Sequence, residues 1–132
     1  MQIEIFTFCR EVSPERGPMN LTDITHTIRT PSVPLRSPKG FIVLRASFDE
    51  LDTEPHEIVV RIVDSDGREL AQPDRTFSNT LKREEGKHAY YNCRWDISNF
   101  TFHQYGHYWL DLLVDGSQSH RILLSILPPG QE

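Results

Sequence analysis

The sequence is poor in cysteine, in long apolar runs and in basic residues, and each shortage excludes a class of protein. Two cysteines among 132 residues are too few for the disulfide framework of a small secreted domain. No stretch approaches the roughly 20 apolar residues that a membrane-spanning helix needs. The net charge of −5 leaves no surplus of lysine and arginine for neutralising phosphates. We therefore expect neither a membrane nor a nucleic acid as a partner.

The N-terminal segment also lacks the features of an export signal. MQIEIFTFC carries no basic residue and no long apolar stretch, so we do not expect a signal peptide. The simplest expectation is a cytoplasmic protein with reduced thiols. Cys9 and Cys93 fall within predicted strands, and we interpret them as buried structural thiols rather than nucleophiles.

The composition and the apolar pattern predict the fold class. A chain of 132 residues with 37% hydrophobic and 25% charged residues fits one globular domain over residues 1–132. Apolar residues recur mainly at every second position, the period of a β-strand, and helical periodicity is scarce. About eight such segments alternate with turn residues. This pattern predicts an all-β fold, namely an antiparallel immunoglobulin-like β-sandwich of seven to nine strands.

The alternation also predicts which side chains face the core. The inward sets of the clearest strands are Ile42, Leu44, Ala46 and Phe48; Ile58, Val60 and Ile62; Ala89, Tyr91, Cys93, Trp95 and Ile97; Tyr108, Leu110, Leu112 and Val114; and Ile122, Leu124 and Ile126. In the first strand, one face is predicted to carry Ile3, Ile5 and Cys9, and the other Phe6 and Phe8.

The connections are predicted from their turn residues. Asp66-Gly67 and Asp115-Gly116 are expected to form two-residue hairpin turns. The proline-rich residues 30–40 cannot be a central strand and predict a surface connection. Residues 74–87 fit either a single helical turn or a loop.

The segment FHQYGHYWLDLLVDG, residues 102–116, fits either a metal site or a structural corner. His103 and His107 could chelate a metal from one face of a helix. On a strand, residues four apart are about 13 Å apart, too far to share one ion. The structural interpretation places Tyr108 in a tyrosine corner, whose hydroxyl bonds back to the backbone at the start of the penultimate strand. It explains more of these residues, so we favour the corner.

Three stretches together resemble a known family. They are IEIFTFC, VVRIVDSDGREL and FHQYGHYWLDLLVDG, which supply a Phe-x-x-Cys first strand, an Asp-x-Asp-Gly hairpin and a Tyr-Gly-x-Tyr-x-Leu penultimate strand. The chain is similar in these motifs to a small bacterial family of unknown function. The resemblance spans most of the chain, but it implies no activity, catalytic residue or cofactor.

Acidic residues concentrate in two places. The stretch DELDTEPHE carries Asp49, Glu50, Asp52, Glu54 and Glu57, which we interpret as a solvated loop, with calcium binding as the alternative. The stretch DSDG, Asp64 to Gly67, resembles the start of a calcium loop. The twelfth position of that loop would be Arg75 instead of a glutamate, so a hairpin turn is the better interpretation.

The motifs of common enzymes are missing. The sequence has no Gly-x-Ser-x-Gly elbow and no phosphate-binding loop, so we expect no enzyme and no cofactor. A hydrolase would need a pocket in which histidine and carboxylate meet. The side chains that we would expect to converge there are His103, His107 and the acidic loop.

Two sets of outward residues are the best candidates for a functional surface. His107, Trp109, Asp111 and Leu113 share one face of their strand, and Tyr90, Asn92 and Arg94 share one face of another. An outward Trp109 could be covered by residues 74–87 or by the proline-rich connection, or it could form a partner or dimer interface. We expect a non-catalytic protein-binding or assembly module, with a homodimer or another protein as partner. A ligand- or carbohydrate-binding sandwich and a hydrolase are the alternatives.

Overall fold

Residues with a two-residue apolar period form strands throughout the described chain. The computed structural model describes residues 1–13, 19–70, 76–82 and 90–130, and every helix-or-strand element within them is a strand. These are β1 (Gln2–Ser13), β2 (Asn20–Ile24), β3 (Thr27–Arg29), β4 (Leu35–Arg36), β5 (Phe41–Ser47), β6 (His56–Val63), β7 (Phe77–Leu81), β8 (Tyr90–Asp96), β9 (Thr101–Phe102), β10 (Gly106–Val114) and β11 (Ser117–Leu127). The described residues thus hold eleven strands rather than seven to nine, because β3, β4 and β9 are short additions. They contain no helix able to cross a membrane.

The strands form three sheets. The first sheet has the order β2-β1-β5-β8, the second has the order β3-β11-β10-β6-β7, and β4 and β9 form a small third sheet. All neighbours run antiparallel except β3, which runs parallel to β11. Inward side chains of the first and second sheets share one hydrophobic core. The prediction of an all-β fold is confirmed.

The predicted inward side chains do face this core. In β5, β6, β8, β10 and β11 they are buried or packed against the buried cluster; Ala89 lies outside the described residues. The prediction for β1 was wrong on one point. A bulge between Ile3 and Ile5 reverses the alternation, so that Ile3 and Phe6 both pair with inward residues of β5. Phe8 and Cys9 are both buried, although they lie on opposite sides of the strand.

The segment predicted as a helical turn or loop contains a strand. Within residues 74–87, Phe77–Leu81 form β7 at the edge of the second sheet, paired with β6; residues 74–75 and 83–87 lie outside the described residues. Phe77 and Leu81 are buried, and the three polar residues between them are exposed. Because the inward position between the two ends is also polar, the period of two was hidden in the sequence.

The proline-rich connection is a surface segment, as predicted. Only Leu35–Arg36 within it form a strand, β4, which pairs with β9. The preceding residues of the chain divide between sheets: β2 is an edge of the first sheet and β3 an edge of the second. Asp23 has a φ of 55° shortly before the crossing.

Candidate functional site

The outer face of the second sheet carries the candidate surface. Tyr108, Leu110 and Leu112 of the central strand β10 point into the core, so the alternate residues point outward. The register places Leu123 of β11 and Val63 of β6 on either side of Trp109, and Val59 beside Leu113. We call this surface the Trp109 face; its residues are His107, Trp109, Asp111, Leu113, Arg121, Leu123, Val63 and Val59.

An ion pair lies at the centre of the Trp109 face. The Arg121 guanidinium donates from Nε to Asp111 Oδ1 at 2.6 Å and from its terminal nitrogen to Asp111 Oδ2 at 2.9 Å. The same guanidinium lies over the Trp109 ring, 5.2 Å from its centroid. Hydrogen bonding to the Asp111 carboxylate raises the pKa of Arg121 above its usual value. The ion pair therefore fixes a cation against the indole.

Asp111 does not face solvent as its place in the alternation suggested. The residue is only 6% exposed, because the Arg121 side chain lies beside it and occupies both carboxylate oxygens. Trp109 and Leu113 are half-buried and His107 is exposed. The His107 ring nitrogen Nδ1 shares a hydrogen bond of 2.7 Å with the Ser125 hydroxyl.

Trp109 owes part of its cover to a neighbouring strand. The Arg121 guanidinium of β11 lies over its ring. The sequence had left three kinds of cover open, namely residues 74–87, the proline-rich connection or a partner. Of residues 74–87, the described part forms β7, which lies two strands away from β10 in the sheet order. Leu35–Arg36 of the proline-rich connection belong to the third sheet.

A polar cleft of about 220 Å³ adjoins the Trp109 face at the end where β10 begins. Its walls are the turn after β6, residues 64–68, and the corner before β10, residues 103–108. The Tyr108 hydroxyl donates to the Gln104 carbonyl oxygen at 2.7 Å, which confirms the predicted tyrosine corner. We call this feature the corner cleft.

The turn on the other wall of the corner cleft is held by one carboxylate. Asp64 Oδ1 accepts hydrogen bonds of 2.9 Å from the backbone amides of both Asp66 and Arg68. The loop has three residues rather than the two predicted, since Asp64 pairs with Arg68 and Gly67 adopts a φ of 83°. The DSDG motif therefore builds a hairpin turn.

His103 and His107 both line the corner cleft, together with Asp64 and Asp66. Tyr105 stands at the same wall, 39% exposed, and its hydroxyl donates to the Thr30 carbonyl oxygen at 2.9 Å. Within the described ranges no group of three or more His, Cys, Asp or Glu side chains is arranged to hold a metal ion. The cleft combines the rings of Tyr105 and Tyr108 with several polar groups.

The acidic loop meets a different histidine. His56 Nε2 lies 2.7 Å from Asp52 Oδ1, and His56 Nδ1 lies 2.7 Å from Asp115 Oδ2. The Met1 ammonium contacts Asp52 as well. Hydrogen bonds to Asp52 and then to Asp115 raise the pKa of His56. The pKa of Asp52 is lowered, first by the Met1 ammonium and then by His56. We call Asp52, His56 and Asp115 the His56 clasp.

The expected convergence of His103 and His107 with the acidic loop was therefore wrong. These histidines lie at the start of β10 and the His56 clasp lies just beyond its end. A nine-residue strand separates the two places by about 27 Å. The participation of Asp115 arises from the second hairpin turn, which was interpreted only as a turn. Its two-residue form is confirmed by the pairing of Val114 with Ser117.

Both cysteines are buried and free, as expected. Burial raises the pKa of both thiols, of Cys9 and of Cys93, so both favour the neutral form. Cys93 additionally accepts a hydrogen bond of 3.4 Å from the Asn79 amide. The chemistry of a nucleophilic thiolate is not favoured at either position.

A comparison with known families finds a match over nearly the whole chain. Residues 4–127 match the model of a family of unknown function, DUF6941. The chain belongs to this family. No curated protein matches the sequence. Membership covers nearly the whole fold described above, and it assigns no activity to any residue.

Three of the important side chains were missed by the sequence analysis. Arg121 is separated from Asp111 by the hairpin, and His56 and Asp115 occur in stretches that predict only a strand and a turn. The one available signal was the charge of Arg121, since no other Lys or Arg occurs in this strand. It marks an outward position that needs a partner across the sheet.

Proposed function

We propose that this protein is a non-catalytic protein-binding module of immunoglobulin-like sandwich fold, and that its Trp109 face is the interface. The observation that carries the proposal is the stacked arrangement of Trp109, Arg121 and Asp111 on the central strand of a sheet. Tryptophan and arginine dominate the binding energy of protein interfaces, and they do so best when they are rigidly held. The partner is a second copy of this chain or another protein.

The neighbours of this arrangement support a protein partner. Leu123, Leu113 and Val59 are half-buried apolar residues around the ion pair, and Val63 is 9% exposed. The Asp111–Arg121 pair adds little to the desolvation cost of this surface, because its two charged groups are already paired. The other charged neighbour, Arg61, lies opposite Asp111 on β6 and is 3.9 Å from Glu69. An outer sheet face of this kind suits contact with the surface of another protein.

The sandwich proposal is supported by the order of the strands. β10 and β11 form a hairpin, β6 joins them from the other side, and β1, β5 and β8 form the opposite sheet. The tyrosine corner precedes the penultimate strand, where immunoglobulin-like domains have it. We further propose a bacterial, cytoplasmic protein, since two buried free thiols suit a reducing compartment.

The His56 clasp supports a structural rather than catalytic role for its histidine. Both ring nitrogens bond to carboxylates, so the protonated ring that satisfies both has no free lone pair to act as a base. The clasp ties the loop before β6 to the β10–β11 turn. The Glu57 amide donates to Asp115 Oδ1 at 2.9 Å and reinforces the same connection.

The experiment compares oligomeric mass by light scattering behind a sizing column for wild type, Trp109→Ser and Tyr90→Ser. Tyr90 is the matched control, because it is an exposed aromatic residue under Arg45, 4.4 Å from the ring centroid, on the other sheet. A homodimer interface predicts a wild-type dimer that becomes a folded monomer only in Trp109→Ser. If the wild type is a monomer, quantitative affinity capture with the same three proteins decides. Equal capture of every partner by wild type and Trp109→Ser would contradict the proposal.

A second candidate function rests on the corner cleft. Tyr105 offers a partly exposed ring beside the carboxylates of Asp64 and Asp66, which is a chemistry suited to polyols and sugars. Titration of the labelled protein with glucose, galactose and glycerol, followed by amide chemical shifts, tests it. Saturable shifts at residues 103–108 that vanish in Tyr105→Ala would favour this function. Linear or absent shifts would exclude these ligands.

A further inference from the structure

One long edge of the second sheet is only partly paired. Along one side, β11 (Ser117–Leu127) pairs with β10 over nearly its whole length. Along the other side it pairs with β3 only at Ser125, Ile126 and Leu127. No other described strand pairs with that side of β11. Residues 117–124 therefore present an open strand edge.

The backbone direction at this edge follows from the pairing with β3. The Ser125 amide donates to the His26 carbonyl oxygen at 2.7 Å, and the Thr30 amide donates to the Leu127 carbonyl oxygen at 2.9 Å. Backbone groups of alternate residues point to the same side of a strand. The pairing is regular from His120 to Ile126. The amide and carbonyl groups of Arg121 and Leu123 therefore point into the open edge.

A groove of about 400 Å³ lies along this edge. Leu123 and Ile122 form one wall; Phe8 and Ile24 lie on the other, where the first sheet ends. Ile24 is 64% exposed, which is unusual for a large apolar side chain. The groove exists because the chain crosses from β2 in the first sheet to β3 in the second sheet. Residues 117–124 of β11 are thereby left without a described neighbouring strand on that side.

We propose that this groove binds an extended peptide segment of a partner protein as an added strand parallel to β11 and in line with β3. The short β3 already occupies the same edge in the parallel orientation, so the added strand continues an existing pairing. The amides of Arg121 and Leu123 would donate hydrogen bonds to the peptide backbone, and their carbonyl oxygens would accept hydrogen bonds from it. Alternate apolar side chains of the peptide would contact Ile24 and Ile122.

A single extended segment fits this site better than the sheet edge of a second copy. The edge has residues of both sheets beside it, Ile122 and Leu123 of β11 on one side and residues 7–8 and 24–26 on the other, so an incoming segment would lie between two walls. The regular part of the edge, residues 120–124, spans about 13 Å. The peptide thus needs about five extended residues, with no proline at the positions that donate to β11. This site does not depend on the Trp109 face as an interface.

The test selects a displayed library of random eight-residue peptides on the wild-type protein. The enriched peptides are then titrated against wild type, Ile24→Lys, Leu123→Pro and the control Tyr90→Ser. We expect alternating apolar peptides whose affinity falls at least tenfold in Ile24→Lys and Leu123→Pro and stays unchanged in Tyr90→Ser. Bound peptide should also slow amide hydrogen exchange at Arg121 and Leu123.

Ile24→Lys keeps the test decisive if Leu123→Pro does not fold, because Ile24 is exposed and its substitution removes no ladder hydrogen bond of β11. A selection that yields no saturable binder would overturn the proposal. So would peptides that bind Ile24→Lys as tightly as wild type, or that leave the exchange of Arg121 and Leu123 unchanged. Loss of the Trp109 interface in the sizing experiment would have no bearing on these results.

Discussion

Asp111 on β10 and Arg121 on β11 form a two-point ion pair that is asymmetric in its exposure to solvent. The carboxylate side chain is 9% exposed and the arginine side chain 43% exposed. The arginine thus shields the acid from water and stacks on Trp109 at the same time. This asymmetry has consequences for substitutions at the two positions.

We expect Arg121→Ala to lower the free energy of unfolding more than Asp111→Ala. Without Arg121, the Asp111 carboxylate stays among Trp109 and the neighbouring strands without its partner, whereas an unpaired Arg121 can turn into water. Urea denaturation followed by far-UV circular dichroism measures both variants. Equal losses for the two would show that Asp111 regains its hydration, or pairs with Arg61 opposite it on β6, when Arg121 is removed.

The fluorescence of the same variants provides the control. Removing the guanidinium uncovers the Trp109 ring, so we expect a red-shifted tryptophan emission in Arg121→Ala. Trp95 is 9% exposed in the core and its indole nitrogen donates to the Ser78 carbonyl oxygen at 3.4 Å, so its emission should not change. A Trp109→Phe background isolates the Trp95 signal.

The Asp111–Arg121 relationship also shows where sequence reasoning stops. Alternation correctly predicted the inward side chains of β10 and β11 and the turn at Asp115-Gly116. Counting outward from a regular two-residue turn would pair Asp111 with His120. The register shift after Leu112 moves the partner to Arg121. A bulge of one residue depends on the local twist of two strands, and no residue type in the segment indicates its position.

The His56 clasp could not be predicted from the sequence, for a different reason. Asp52, His56 and Asp115 come from two stretches distant in sequence, and only the position of β6 beside β10 brings them together. The tyrosine corner was predictable because it is a local bond, from Tyr108 to a residue four positions earlier. Local hydrogen bonding could be inferred from the spacing of residues, whereas pairing between strands of unknown order could not.

Tyr108→Phe is expected to destabilise the fold by about 1–2 kcal/mol. The substitution removes the hydrogen bond from the Tyr108 hydroxyl to the Gln104 carbonyl oxygen, and Tyr108 is only 5% exposed. Tyr105→Phe is the matched control, since it removes a bond of similar length from a hydroxyl on an exposed residue and should cost less. Chemical denaturation of the two variants ranks them. A larger loss in Tyr105→Phe would contradict the structural importance of the corner.

Both thiols should be unreactive in the native protein. Cys9 is fully buried and Cys93 is 6% exposed, and burial raises the pKa of each. We expect no rapid labelling by a disulfide-exchange reagent at neutral pH, and labelling of two thiols in denaturant. Fast labelling of one thiol in the native state would show that a strand edge opens, and the single variants Cys9→Ala and Cys93→Ala would identify which one.

The His56 clasp predicts a stability maximum on the acid side of neutrality. The pKa of His56 is raised by Asp52 and Asp115, so its stabilising contribution is complete below the unfolded pKa of about 6.5 and is lost as pH rises through the folded pKa. The pKa values of Asp52 and Asp115 are lowered, Asp115 chiefly by its hydrogen bond with the Glu57 amide. Their contribution is complete above the unfolded pKa of about 3.9 and is lost as pH falls through the folded values.

Thermal unfolding between pH 3 and pH 9 measures this dependence in wild type and in His56→Gln. We expect the wild-type melting temperature to fall as pH rises above about 6.5, and this slope to disappear in His56→Gln, whose amide does not titrate. His103→Gln is the control, because that histidine is exposed and lies at the opposite end of β10. A slope that persists in His56→Gln and disappears in His103→Gln would move the pH sensitivity from the clasp to the corner cleft.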